Sequence, residues 1–124
     1  RADVVINALP LTTATKGLFD AKLFADFKDD SYFINVGRGG TVVTSALHDA
    51  LTSEKLAGVG LDVTDPEPLP SNHPLWQMPN VIITPHISAG GFDRGWLRFI
   101  IEENLRRYVE GDTLLNEVDP ARGY

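Results

Sequence analysis

Four short runs of mostly β-branched and aromatic residues recur along the chain, separated by segments with helical or turn spacing. They are Val4-Val5-Ile6, Tyr32-Phe33-Ile34-Asn35-Val36, residues 57–63 and Val81-Ile82-Ile83. Apolar runs without polar alternation suit parallel strands covered on both faces. Between the first two, Asp20 stands where it can cap a helix whose Leu23, Phe24 and Phe27 share one face. Thr44 or Ser45 begins a second helix with Leu47, Ala50 and Leu51 as its stripe. A last helix is expected over residues 91–110, with Leu97, Ile101, Leu105 and Tyr108 at three- and four-residue spacing and Gly111 as its stop. Asp29-Asp30-Ser31, Gly37-Arg38-Gly39-Gly40 and the proline-rich stretch 65–79 punctuate the pattern. Strands and helices alternating through short connections predict an α/β fold, a parallel sheet with flanking helices.

The chain has 124 residues, 43% of them hydrophobic and 23% charged, which suits one core of ordinary domain size. No apolar run approaches the roughly eighteen residues of a spanning helix. Cysteine is absent, which excludes disulfides, thiol catalysis and thiolate metal sites. A formal charge of −6 opposes a sequence-independent grip on nucleic acid. The expected setting is cytoplasmic, with neither a nucleic-acid nor a membrane partner. No two histidines have His-x-x-x-His spacing, so no metal site is expected, and His48 and His73 are read as surface residues. Trp76 and Trp96 are assigned to packing. Ser88 is near His86, but no serine sits in a nucleophile-elbow pattern. The tail, 112–124, shows no clear element and is expected to be frayed or packed on something beyond this chain.

Ligands of open parallel sheets bind beyond the carboxyl ends of the strands, so the residues that follow each run carry the chemistry. Arg38, flanked by glycines, follows the second run. Asp62 and then Glu67, between Pro66 and Pro68, follow the third. His86 follows the fourth. Singly, Arg38 could solvate a turn, Glu67 could be a loop acid and His86 a packed or capping histidine. Together they bring a cation, a carboxylate and an imidazole to one edge of the sheet. Neighbouring glycines allow a backbone or planar ligand to approach Arg38 closely. A guanidinium grips a carboxylate bidentately and stays charged. An imidazole beside a carboxylate can give a proton to a carbonyl oxygen and recover it from an alcohol. A 2-oxo acid satisfies both groups, and its reduction needs hydride, which a nicotinamide cofactor supplies.

The segments Asn35-Val36-Gly37-Arg38-Gly39-Gly40, Gly60-Leu61-Asp62-Val63, Asp65-Pro66-Glu67-Pro68-Leu69-Pro70, Pro74-Leu75 and Asn80-Val81-Ile82-Ile83-Thr84-Pro85-His86-Ile87 closely resemble the D-isomer-specific 2-hydroxyacid dehydrogenases. Asn7-Ala8-Leu9-Pro10-Leu11-Thr12 and Thr15-Lys16-Gly17-Leu18 are also similar to that family. The resemblance implies that Arg38 binds and polarises the 2-oxo acid, that His86 is the acid/base and that Glu67 hydrogen-bonds it. It implies cofactor contacts from Leu9, Pro10, Val36, Gly37, Arg38, His86, Ser88 and Ala89, with Asp62 near the nicotinamide carboxamide. The cofactor is NAD or NADP. Glu67 points away from formate, because the formate dehydrogenases of this family carry glutamine there.

The family's Gly-x-Gly-x-x-Gly phosphate turn has no counterpart here: Gly37, Gly39 and Gly40 have a different spacing and follow a different strand. The expectation is therefore the second half of a Rossmann-type dinucleotide-binding domain. Residues 1–111 would form that partial domain and its connecting helix, and 112–124 would return towards a substrate domain absent from this chain. Arg1 at the start agrees with a piece of a larger enzyme, dimeric in full and inactive as this piece alone. Two alternatives stand beside it. One is a non-catalytic NAD(H)-sensing or corepressor-like protein of the same fold. The other is a truncated chain that self-associates through the sheet edge or the long helix.

Overall fold

All four predicted strands form in the computed structural model, which describes residues 2–90 and 94–121. They are β1 (Val4–Asn7), β2 (Ser31–Asn35), β3 (Leu56–Leu61) and β4 (Val81–Ile83). All pair in parallel, in the order β1-β2-β3-β4. Helix α1 (Ala21–Ala25) connects β1 to β2, and α2 (Thr44–Thr52) connects β2 to β3. Helix α3 (Arg94–Glu110) follows β4. The chain divides into two compact units, Arg1–Ser88 and Ala89–Tyr124.

In the first unit, Asp20 caps α1 as expected: its carboxylate accepts the Leu23 amide at 2.8 Å. The helix stops after five residues because its last turn tightens, with Asp26 N–H reaching Leu23 O and Phe27 N–H reaching Phe24 O at 3.1 Å each. Phe24 is buried and meets Phe33 of β2 edge-on, with centroids 5.4 Å apart. Leu23 and Phe27 pack against the same core, and Leu47, Ala50 and Leu51 of α2 lie within it. Helix α2 starts at Thr44, yet no side chain caps it. The Thr44 hydroxyl instead donates to Asp65 O at 2.9 Å, tying the helix to the loop after β3.

Among the described residues of this unit, helices cover one face of the sheet. Phe33, Val59 and Leu61 point into the core, beneath α1 and α2. On the opposite face, Val4, Ile6, Tyr32 and Ile82 are 47%, 62%, 51% and 70% exposed. Register places Val4 beside Tyr32 and Gly58, and Ile6 beside Ile34, Gly60 and Ile82. With two glycines in these rows, the face is an open apolar trough. Its residues carry a buried-strand pattern without a covering layer in this unit.

In the second unit, α3 runs to Glu110, and the expected start at residues 91–93 lies outside the described residues. Gly111 ends it with φ +77°, as expected of a glycine stop. Leu97, Ile101, Leu105 and Tyr108 are all exposed within the unit. Glu103 accepts Arg106 and Arg107, whose hydrogen bonds hold its carboxyl down at about 2. The first part of the tail is not frayed. Asn104 both donates to Leu115 O and accepts Leu115 N, at 3.0 and 2.7 Å, and Arg107 donates to Thr113 O.

Candidate active site

The loops after the strands are built on one another. Gly37, after β2, lies so close to the loop after β1 that a Cβ there would stand 2.6 Å from Leu9 O. At Gly39 a Cβ would stand 1.9 Å from Thr64 O, in the loop after β3. The two glycines that flank Arg38 thus let the loops after β1, β2 and β3 pack backbone to backbone.

Beyond β3, the proline-rich segment is anchored by buried Leu69 and Leu75. Thr64 Oγ1 donates to Pro66 O, and Trp76 Nε1 to Pro70 O, each at 2.9 Å. His73 caps the short 3₁₀ turn Pro74–Gln77, its Nδ1 accepting the Leu75 amide at 3.3 Å. The peptide bonds before Pro66 and Pro68 are cis. This frame presents Glu67 to His86: Oε1 and Nδ1 are 2.7 Å apart, with both side chains 42% exposed. Nδ1 is thereby occupied, leaving Nε2 for a second partner.

His86 itself has φ +54°, in the left-handed region that side chains seldom occupy. Asp62 holds it there. The Asp62 carbonyl accepts the His86 amide at 2.9 Å. Its carboxylate accepts Thr84 Oγ1 at 2.6 Å, and the Ile87 and Ser88 amides at 2.9 Å each. Burial alone pushes the Asp62 carboxyl up, but the hydrogen bonds from Thr84, Ser88 and Ile87 outweigh it and hold the group well below the ordinary carboxylate range.

Asp62, Glu67 and His86 line one cleft of about 450 Å³, together with Leu69, Trp76 and Ile83. Trp76 is 49% exposed here, a cleft wall rather than a packed core residue. Trp96 is likewise exposed, and its ring stacks on Phe99, 5.5 Å between centroids. Arg38 is on the same edge of the sheet but is not among the residues lining the cleft. It is exposed, and its Nη1 donates to Gly37 O at 2.8 Å. Leu9, Val36 and Ile87 are exposed at the ends of β1, β2 and β4. Ala89 opens the second unit.

Residues 1–88 match the family model described as the D-isomer specific 2-hydroxyacid dehydrogenase NAD binding domain. The chain belongs to the D-isomer specific 2-hydroxyacid dehydrogenases. It is 40% identical over 119 residues to the glyoxylate reductase/hydroxypyruvate reductase of Homo sapiens, spanning 95% of this chain and 36% of that protein. A crystal structure of a family member from Xanthobacter autotrophicus, in complex with NADPH and MES, matches with a TM-score of 0.91 and 44% identity over 99% of this chain and 50% of that one. The NADPH-dependent glyoxylate/hydroxypyruvate reductase of Sinorhizobium meliloti, in complex with NADP and sulfate, matches with a TM-score of 0.89 and 39% identity over 100% of this chain and 40% of that one. The chain thus spans at most half the length of each of these relatives.

The family match ends where the first compact unit ends, at residue 88. Within that unit, sequence reasoning overlooked the buried trio Asn7, Asn35 and Thr41, and the bond from Thr84 that steadies Asp62. A signal for the first two was present. The dipeptide Ile-Asn closes both the first and the second strand.

Proposed function

We propose that this chain supplies the proton-transfer and substrate-anion half of an NAD(P)-dependent reductase of small 2-oxo acids, of the glyoxylate and hydroxypyruvate class. The 2.7 Å pairing of Glu67 with His86, on a backbone that Asp62 holds in place, carries this reading. Leu9, Pro10, Val36, Gly37 and Ser88 would hold the nicotinamide end of the cofactor, with Asp62 beside it. When bound, the cofactor supplies hydride.

The chain's own residues do the remainder. The Arg38 guanidinium grips the carboxylate of the 2-oxo acid and polarises the adjacent carbonyl, after swinging away from Gly37 O. His86 gives the proton at Nε2 to the carbonyl oxygen, and takes it back from the hydroxyl in the reverse direction. Glu67 fixes the ring through Nδ1, so that Nε2 faces the substrate.

Residues 1–111 serve as the second half of the cofactor domain with its connecting helix, and 112–124 lead towards a substrate domain. The 124-residue chain alone is expected to oxidise neither NADH nor NADPH with a 2-oxo acid. Absorbance at the dihydronicotinamide band tests this directly. In the whole protein that carries this sequence, Arg38→Lys replaces a fork by a point charge and is expected to raise the 2-oxo acid KM about tenfold or more. An unchanged KM contradicts the grip.

A further inference from the structure

Asn7 and Asn35 occupy paired register positions, as the last residues of β1 and β2, and each is 1% exposed. Thr41, three residues beyond Arg38, is fully buried. Asn7 Nδ2 donates to Asn35 Oδ1 at 2.9 Å and to Thr41 Oγ1 at 2.7 Å. The cluster's other bonds all end on the backbone of the loops beyond the strands. Asn7 Oδ1 accepts the Leu9 amide and Asn35 Oδ1 the Gly37 amide, both at 3.1 Å. The Arg38 carbonyl accepts two side chains, Thr41 Oγ1 at 2.7 Å and Asn35 Nδ2 at 3.3 Å, besides the Thr41 amide at 3.2 Å.

Burying two amides and a hydroxyl is costly unless each is bonded, and apolar side chains of similar size would fill the same space without that cost. What apolar side chains cannot do is fix where the Arg38 carbonyl and the Gly37 amide sit. The Arg38 guanidinium must leave Gly37 O to reach a substrate, and the direction from which it turns is set by its backbone. We propose that Asn7, Asn35 and Thr41 are positioning residues that aim Arg38 at the substrate carboxylate and lock the loop after β2 to the loop after β1. This proposal rests on Arg38 as the carboxylate grip. Thr41 is the key member, because its hydroxyl both receives Asn7 and holds Arg38. A shift of about 1 Å at a substrate-binding group can cost as much as a hundredfold, so loss of one bond to its backbone should be visible in kinetics.

The test is steady-state kinetics of the whole protein that carries this sequence, using glyoxylate and hydroxypyruvate as substrates. Thr41→Val, which keeps the shape and removes the hydroxyl, should raise the 2-oxo acid KM about tenfold while kcat stays within about twofold. Thr41→Ser should restore KM. Thr41→Ala, free of any crowding, should act like Thr41→Val and covers the case in which the valine variant does not fold. Since Thr41 acts through Arg38, Thr41→Val should add little to the KM of Arg38→Lys. A normal KM in both Thr41→Val and Thr41→Ala, or an additive rise in the double variant, overturns the proposal and leaves the Arg38 grip standing. If Arg38→Lys itself leaves KM unchanged, the grip fails and the positioning role fails with it.

Discussion

Glu67 Oε1 lies 2.7 Å from His86 Nδ1, joining the loop after β3 to the turn after β4 across nineteen positions of sequence. Replacing the carboxylate by an amide of the same shape keeps an acceptor and removes the charge. Glu67→Gln is expected to lower kcat/KM for a 2-oxo acid by about tenfold or more, because His86 Nδ1 loses its carboxylate partner. Cofactor affinity should stay as it was. Stopped-flow reduction of glyoxylate measures the first, and cofactor fluorescence titration the second.

Asp62 gives the first unit an acid-sensitive point. Its hydrogen bonds keep it ionised in the folded state well below the ordinary range, despite the opposing effect of burial. In the unfolded chain it protonates near about 4. A depressed folded pKa stabilises the fold fully above the unfolded value, and that stabilisation is lost as pH falls towards the folded value. Asp62→Asn should therefore be less stable than the parent chain at pH 7, with the gap narrowing below about pH 4. Urea unfolding at pH 7, 4 and 3 follows it, and a gap constant with pH would contradict the assignment.

Gly39 is required by contact rather than by backbone conformation. A Cβ there would stand 1.9 Å from Thr64 O, a main-chain atom that cannot step aside. Gly39→Ala should cost about 3 kcal/mol or more of stability. Gly40→Ala is the control: its nearest neighbour is a Leu11 methyl at 3.1 Å, the end of a flexible side chain. It should cost below about 1 kcal/mol.

The strands, the α1 cap and the Glu67–His86 pair were legible because each depends on local pattern. Short β-branched runs, an Asp three residues before Leu23, and functional types just past strand ends are all visible in one dimension. Four things were not. Apolar runs such as Val4-Val5-Ile6 report a buried environment without saying what provides the cover, and the outer face of this unit lies open. The left-handed backbone of His86 depends on Asp62, twenty-four positions earlier in the sequence. Arg38 follows the right strand, yet its side chain turns to Gly37 O, a choice set by torsion angles that sequence spacing does not reveal. Asn7 and Asn35 meet only because the register of two parallel strands aligns them.

Whether His86 is the proton-transferring group is the most direct question to put to the whole protein that carries this sequence. His86→Ala should lower kcat for glyoxylate or hydroxypyruvate reduction by about a hundredfold or more at saturating cofactor. Turnover within a few-fold of the parent would contradict the account.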